Sequence, residues 1–155
     1  PPAKEASSGR ANPKGIPYLY VSSDLETTLY ETRATYLDYV TVGTLKLLSD
    51  IKVVKLVGID KLNPFEEDLL EKVLYQPFLK RLEIELSKPL RRFDTELDYL
   101  PTQYICEFIK HIGFDGVEYG SAMKKRGVNL AIFDDTKIEC ISVQVIEIKD
   151  ISISY

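Results

Sequence analysis

The sequence predicts an α+β domain built on twisted, mainly antiparallel sheets. Three observations carry this. Short runs rich in β-branched and aromatic residues outnumber the segments with helical spacing. The order of the two lacks the regular alternation of a doubly wound parallel sheet. And 155 residues, 45% hydrophobic and 28% charged, have the size and balance of one compact domain spanning residues 1–155 rather than of a disordered or fibrous chain.

Residues 1–15 are crowded with Gly, Pro, Ser and Asn and read as an irregular surface loop. Ile16 to Ser22 reads as a strand, with Tyr18, Leu19, Tyr20 and Val21 supplying bulk that suits a pleated surface. A helix from Asp24 to about Tyr36 follows, because Ser23 or Asp24 can cap it and Ser23 with Glu26 makes a capping box. Tyr39 to Leu45 and Ile51 to Val57 are two strands, set as a loose hairpin about Ser49-Asp50.

Asn63-Pro64-Phe65-Glu66 has a cap residue, a first-turn proline and a glutamate three after the cap, so a helix starts there and runs to the region of Tyr75. Gln76 to Phe93 is a further helical stretch or an irregular cover. Its Lys80, Arg81, Lys88, Arg91 and Arg92 read as a solvated face rather than a phosphate patch. Thr102 to Ile112 places Ile105, Phe108, Ile109 and Ile112 at helical spacing, and Gly113 stands where a helix C-terminal glycine belongs. Gly116 to Tyr119, Asn129 to Phe133, Lys137 to Ile141 and Val143 to Tyr155 complete the strands, the last with shifts of apolar parity that indicate bulges.

Composition also excludes chemistries. Twenty Lys+Arg against twenty-four Asp+Glu give a net charge of -4, against a general nucleic-acid surface. Two cysteines, Cys106 and Cys140, read as buried reduced thiols, and with the single His111 they are too few for an ordinary zinc site. No metal is expected. His111 reads as a surface or capping residue, since no Ser or Cys is placed to make a triad with it. Neither a G-x-G-x-x-G nor a G-x-x-x-x-G-K-[ST] loop is present, so a nucleotide would have to be held by side chains. No apolar run approaches the ~18 residues of a membrane span and no signal peptide opens the chain, so the expected location is the cytoplasm. Pro1 and Tyr155 read as the ends of a domain cut from a longer protein, with an upstream segment or domain before it.

The informative stretch is Gly9 to Ser22, followed by Leu25, Thr28 and Glu31. It sets Arg10 on a loop, Tyr20 on a strand and Glu31 on a helix, with Thr27, Thr28 and Glu31 sharing one polar side. A guanidinium, a phenol and a carboxylate can thus converge on one cleft.

The run GRANPKGIPYLYVSSDLETTLYETR resembles the opening of the RES domain, a family named for an arginine, a glutamate and a serine. FDGVEYGSAMKKRGVNLAIFDD resembles the family's closing block, and DYLPTQYICEFIKHIGFDG the helix before it. The match sets the arginine on Arg10, the tyrosine on Tyr20, the glutamate on Glu31 and the serine on Ser121. What the resemblance implies is an ADP-ribosyltransferase-like fold that consumes NAD+ as substrate. It implies a toxin, an NAD+ phosphorylase or a protein ADP-ribosyltransferase, partnered by a helix-turn-helix antitoxin. A family Tyr-Arg pair on an earlier strand falls before Pro1.

The residue chemistry agrees with that resemblance. Nicotinamide in NAD+ is already a cationic leaving group, so one carboxylate suffices to help break its bond to ribose. On this reading Glu31 accepts a hydrogen bond from a ribose hydroxyl as the sugar approaches an oxocarbenium ion. Arg10 grips the pyrophosphate. Tyr20 offers its ring to the nicotinamide or its hydroxyl to the ribose, and Ser121 hydrogen-bonds ribose or phosphate. The acceptor is inorganic phosphate or water, recruited by Lys14, Lys124, Lys125 or Arg126. Asn12 and Asn129 read as braces of loop backbone. The alternatives are ADP-ribosylation of a protein target, and a noncatalytic module whose terminal strand pairs with a partner.

Overall fold

A computed structural model describes residues 3–59, 67–89 and 95–150. The fold is α+β, as the strand-rich sequence requires. Four strands form one sheet in the order β1 (Leu19–Ser22), β5 (Val128–Ile132), β4 (Gly116–Gly120), β3 (Val53–Lys55). Strands β1, β5 and β4 run antiparallel, and β3 joins β4 in parallel. A separate antiparallel ribbon pairs β2 (Tyr39–Leu47) with β6 (Ile138–Glu147). Among the described residues three α-helices accompany them: α1 (Leu25–Glu31), α2 (Leu69–Ser87) and α3 (Leu100–His111).

Local chemistry explains most boundaries. Helix α1 starts where Asp24 accepts a hydrogen bond from the Thr27 amide at 2.9 Å, so Asp24 is the cap and the helix is shorter than its apolar spacing suggested. It ends where Arg33 takes a φ of 53°, a left-handed conformation costing roughly 1–2 kcal/mol in a non-glycine residue. Helix α2 runs unbroken through Pro77 to Ser87, joining what the sequence divided near Tyr75. Proline removes one rung of the ladder there, but burial of Leu82 and Leu86 beyond it holds the helix against the sheet. The helix start at Asn63-Pro64 lies outside the described residues.

The expected hairpin between the second and third strands does not form. Residues 39–47 pair instead with residues 138–147, and Val53–Lys55 aligns beside Gly116–Glu118. The last two expected strands join in one strand, β6, which ends at Glu147; its register shift falls between Cys140 and Ser142, ahead of the expected bulges, and residues 143–147 pair in regular register across the parity change at Val145 and Ile146. Residues 151–155 lie outside the described residues. Gly116 permits the close approach of β4 and β5, since a Cβ there would stand 2.6 Å from the Ala131 carbonyl oxygen.

The core lies between the four-stranded sheet and helices α2 and α3. Leu56, Val117, Ala131, Leu82, Leu86, Cys106 and Ile109 pack there with Tyr18, Tyr119 and Phe133. Each large apolar side chain so buried contributes roughly 1.5–3 kcal/mol. The period-two pleat puts Val117 and Tyr119, Asn129 and Ala131, Tyr20 and Ser22 on the same face of the sheet. Val117 and Ala131 are sealed in the core, and the next row, Ser22, Asn129 and Tyr119, reaches the edge of the helical cover. The opposite face carries a Lys55–Glu118 ion pair at 3.0 Å.

The two cysteines differ. Cys106 is fully buried and its thiol is pushed up to about 12 by desolvation and then by the Glu107 charge, whereas Cys140 is exposed on the ribbon, contrary to the expectation that both are buried. A thiol reagent at pH 8 is therefore expected to modify one cysteine at once, and the second only after denaturant unfolds the chain. Counting modified thiols against time checks this.

Candidate active site

The loop bearing Arg10 is held by a knot of buried polar groups. Asn12, 4% exposed, donates from Nδ2 to the carbonyls of Ser7 and Ile16, both at 2.9 Å. Its Oδ1 accepts from the Tyr20 hydroxyl at 2.7 Å, and that hydroxyl accepts from the Ala11 amide at 3.0 Å. From α3, Gln103 Nε2 lies 2.7 Å from the Gly9 carbonyl, 2.9 Å from Ser8 Oγ and 3.1 Å from the Asn12 carbonyl. Thr102 donates to the Arg10 carbonyl at 2.5 Å. Gly9 has to be glycine here, because a Cβ would sit 2.6 Å from Asn12 Oδ1 and 2.8 Å from the Tyr20 oxygen.

So held, the loop turns the half-buried Arg10 toward the C-terminal end of α2. Its Nη2 donates to the Pro89 carbonyl at 3.0 Å, Nη1 lies 3.4 Å from the Glu85 carbonyl, and the guanidinium lies over the Tyr99 ring at 4.9 Å. Arg10 lines a cleft of about 660 Å³ together with Tyr20, Glu31, Arg33, Tyr119 and Asn129.

Glu31, the last residue of α1, crosses to the sheet. One carboxylate oxygen, Oε1, accepts from Ser121 Oγ at 2.6 Å and from Asn129 Nδ2 at 2.7 Å. Ser121 Oγ in turn accepts from the amides of Met123 and Lys124, at 3.1 and 3.0 Å. Asn129 Oδ1 accepts from Ser22 Oγ at 2.7 Å. Gly127 lets this loop close on α1, since a Cβ there would stand 2.8 Å from Thr27 Oγ1 and 3.0 Å from Ser121 Cβ. On the other side of Glu31 lies a second cleft, of about 690 Å³, walled by Ser22, Thr28, Thr41, Thr44 and Gln144. Tyr20, Glu31, Tyr119 and Asn129 line both.

The four residues expected at the site, Arg10, Tyr20, Glu31 and Ser121, are thus brought into one region, though not in the expected roles. The Tyr20 hydroxyl is used inside the loop, and burial pushes it up to about 12, so it stays protonated at neutral pH. Tyr20 as a whole is 43% exposed and lines both clefts. The Ser121 hydroxyl, with one donor hydrogen and two acceptor sites, is filled by Glu31 and two backbone amides. Lys124 was expected to recruit phosphate. It lies instead between Asp24 and Glu26, 2.8 Å from each, and its pairing with Asp24, followed by the hydrogen bonds from Thr27, holds the Asp24 carboxyl well below the usual range. Lys14, Lys125 and Arg126 line neither cleft.

Arg33 and Lys88 line the first cleft with Arg10; Lys88 was read as part of a solvated face, and nothing in the sequence marked Arg33. Lys88 pairs with Glu85, as Lys80 does with Glu83 and Arg81 with Glu85. Arg91 and Arg92 lie outside the described residues. Asn129 was read as a backbone brace, but its amide goes to Glu31. Among the described residues no group of three or more His, Cys, Asp or Glu is placed to hold a metal ion, and no helix is long and apolar enough to cross a membrane.

Comparison with known families returned a match to the model described as RES domain, over residues 2–154. No curated protein and no solved structure matches the chain.

Gln103→Leu keeps the bulk and removes the donor that reaches the Gly9 and Asn12 carbonyls. It is expected to lower stability by roughly 1–3 kcal/mol, the cost of leaving buried carbonyls unsatisfied. Urea unfolding checks the size, and faster proteolytic cutting within residues 7–15 checks the location.

Proposed function

Because the chain belongs to the RES domain family, we propose that it consumes NAD+, cleaving the bond between nicotinamide and ribose and passing ADP-ribose to inorganic phosphate or water. Family membership is consistent with an NAD-related, toxin-type function and suggests an NAD-using kind of enzyme. The observation that carries the finer reading is the Glu31 carboxylate, tethered through one oxygen to Ser121 and Asn129 in the cleft that Arg10 lines.

The chemistry follows from that arrangement. With Oε1 held by the protein, Oε2 accepts a hydrogen bond from a hydroxyl of the nicotinamide-bearing ribose. That bond strengthens as the sugar becomes an oxocarbenium ion and nicotinamide departs with the bonding electron pair. Arg10 and Arg33 supply positive charge for the pyrophosphate. The exposed ring of Tyr20 offers a π-face to the cationic nicotinamide before the bond breaks. Phosphate or water then adds to the sugar carbon and gives up a proton. An ADP-ribosyltransferase-like architecture accords with this use of one carboxylate, and an antitoxin or an upstream domain of the same protein would be its natural partner.

A second reading, transfer of ADP-ribose to a protein side chain, is favoured by the second cleft. Its lining includes the carboxylates of Asp24 and Glu31 and several hydroxyls, without lysine or arginine, which suits a neutral or basic acceptor better than a phosphate dianion.

Nicotinamide released from NAD+ tests both. Release is expected from the purified chain, rising with millimolar phosphate and falling at least about 100-fold in Glu31→Ala, a loss typical of removing a group that stabilises developing charge. Arg10→Ala should act mainly through a higher KM. Phosphate-independent release would assign hydrolysis, and labelled ADP-ribose bound to protein in a lysate would assign the second reading. Undiminished turnover in Glu31→Ala would overturn the site.

A further inference from the structure

We infer that Asn129 is a positioning residue for Glu31, and that Ser22 sets the direction in which Asn129 acts. The inference rests on the reading of Glu31 as the carboxylate of an NAD+-consuming reaction. It rests equally on three features of geometry.

The first is the division of labour between the two carboxylate oxygens. Ser121 and Asn129 both donate to Oε1, while Oε2 has no hydrogen-bond partner among the described residues. Two donors arriving at one oxygen from different elements, a strand and the loop after another, fix the plane of the carboxylate as well as its position. A single donor would leave Glu31 free to rotate about that bond. Glu31 is exposed at the end of a seven-residue helix, so its own backbone supplies little of this restraint.

The second is the polarity of the Asn129 amide. An amide can present either oxygen or nitrogen to a neighbour, and only nitrogen is attractive to a carboxylate. Ser22 Oγ donates to Asn129 Oδ1 at 2.7 Å, which turns the oxygen away from Glu31 and commits Nδ2 to it. Ser22 and Asn129 are directly opposed in the β1–β5 ladder, so strand register sets this contact. The third is burial. Asn129 is 7% exposed yet lines both clefts, so a packed, well-placed donor reaches out to the exposed Glu31 carboxylate.

A residue that acts through Glu31 has a kinetic signature distinct from one that binds substrate. Asn129→Leu, similar in shape but without a donor, is expected to lower kcat about 10–100-fold, the scale of a small misplacement of a catalytic group. KM and the affinity for ADP-ribose should stay within about twofold. Ser22→Ala should lower kcat less, by about 3–10-fold, because the amide then loses its orientation but keeps its donor. In 15N spectra the Asn129 side-chain amide signals should move in Glu31→Ala and in Ser22→Ala, which a residue serving only to fill space would not show. Thermal melting confirms that each variant folds; should Asn129→Leu not fold, Ser22→Ala and Asn129→Ser carry the test.

The outcomes separate. Loss of turnover in Glu31→Ala with unchanged kcat in folded Asn129→Leu and Ser22→Ala overturns the inference and leaves the reading of Glu31 standing. A rise in KM or a loss of ADP-ribose affinity in place of a lower kcat also overturns it, making Asn129 a ligand contact. A wild-type chain that leaves NAD+ intact overturns the inference together with the function on which it rests.

Discussion

The arrangement depends first on the hydrogen bonds that close residues 7–12 onto α3. A loop rich in Gly, Pro and Ser has no ladder to satisfy its backbone, and several of its carbonyls are covered by the core. Asn12 and Gln103, both nearly fully buried, supply the donors that secondary structure would otherwise provide. Because all of these bonds but the one from Gln103 to Ser8 Oγ have a backbone carbonyl as acceptor, they fix the course of the chain more than the side chains. That course carries Arg10 to the end of α2. There it lines the same cleft as Glu31.

Glu31 arrives by a different route. Asp24 starts α1, two turns of helix follow, and the carboxylate projects from the last residue toward the sheet. The sheet answers with the polar row Ser22–Asn129, which the two-residue period places on the same face as the apolar Val117 and Ala131. The same pleat thus provides core at one level and site at the next. Burial explains why the row is effective: donors at the margin of a packed core have their orientation settled by neighbours before any ligand arrives.

The sequence made much of this legible, and the reasons it failed elsewhere are physical. Local signals were sound where one residue type has one use: Asp24 as a cap, Gly113 after α3 with its φ of 93°, the β-rich character of residues 39–47. Pairing was another matter. Residues 39–47 and 53–57 are adjacent in sequence and both β-rich, but nothing local states which partner each will take, and both paired with segments from the second half of the chain. The sequence divided α2 near Tyr75, but the helix continues through Pro77 to Ser87, with Leu82 and Leu86 buried beyond the proline. Among the residues of the candidate site, Arg10, Tyr20, Glu31 and Ser121 were singled out through motif alone, and the fold brings them into one region. Arg33 and Asn129 were not, because their roles come from a left-handed turn and from strand register, neither of which leaves a spacing pattern.

The valences of the motif residues then decide what a ligand can meet. A serine hydroxyl offers one hydrogen and two acceptor sites, and all three on Ser121 are taken by Glu31, Met123 and Lys124. The Tyr20 hydroxyl gives its hydrogen to Asn12 and accepts from Ala11. Any ligand hydrogen bond to the Ser121 oxygen would have to displace one of these protein bonds, a net exchange that gains little. The first cleft is lined as well by Tyr20, Arg10 and Arg33, and the second oxygen of Glu31 takes no hydrogen bond from the described residues. Two of the four motif residues therefore contribute their polar atoms to holding the loop and the Glu31 carboxylate in place, and the first cleft is lined by a carboxylate, an aromatic side chain and basic groups. Under the proposed reading these would meet the ribose hydroxyl, the cationic nicotinamide ring and the pyrophosphate.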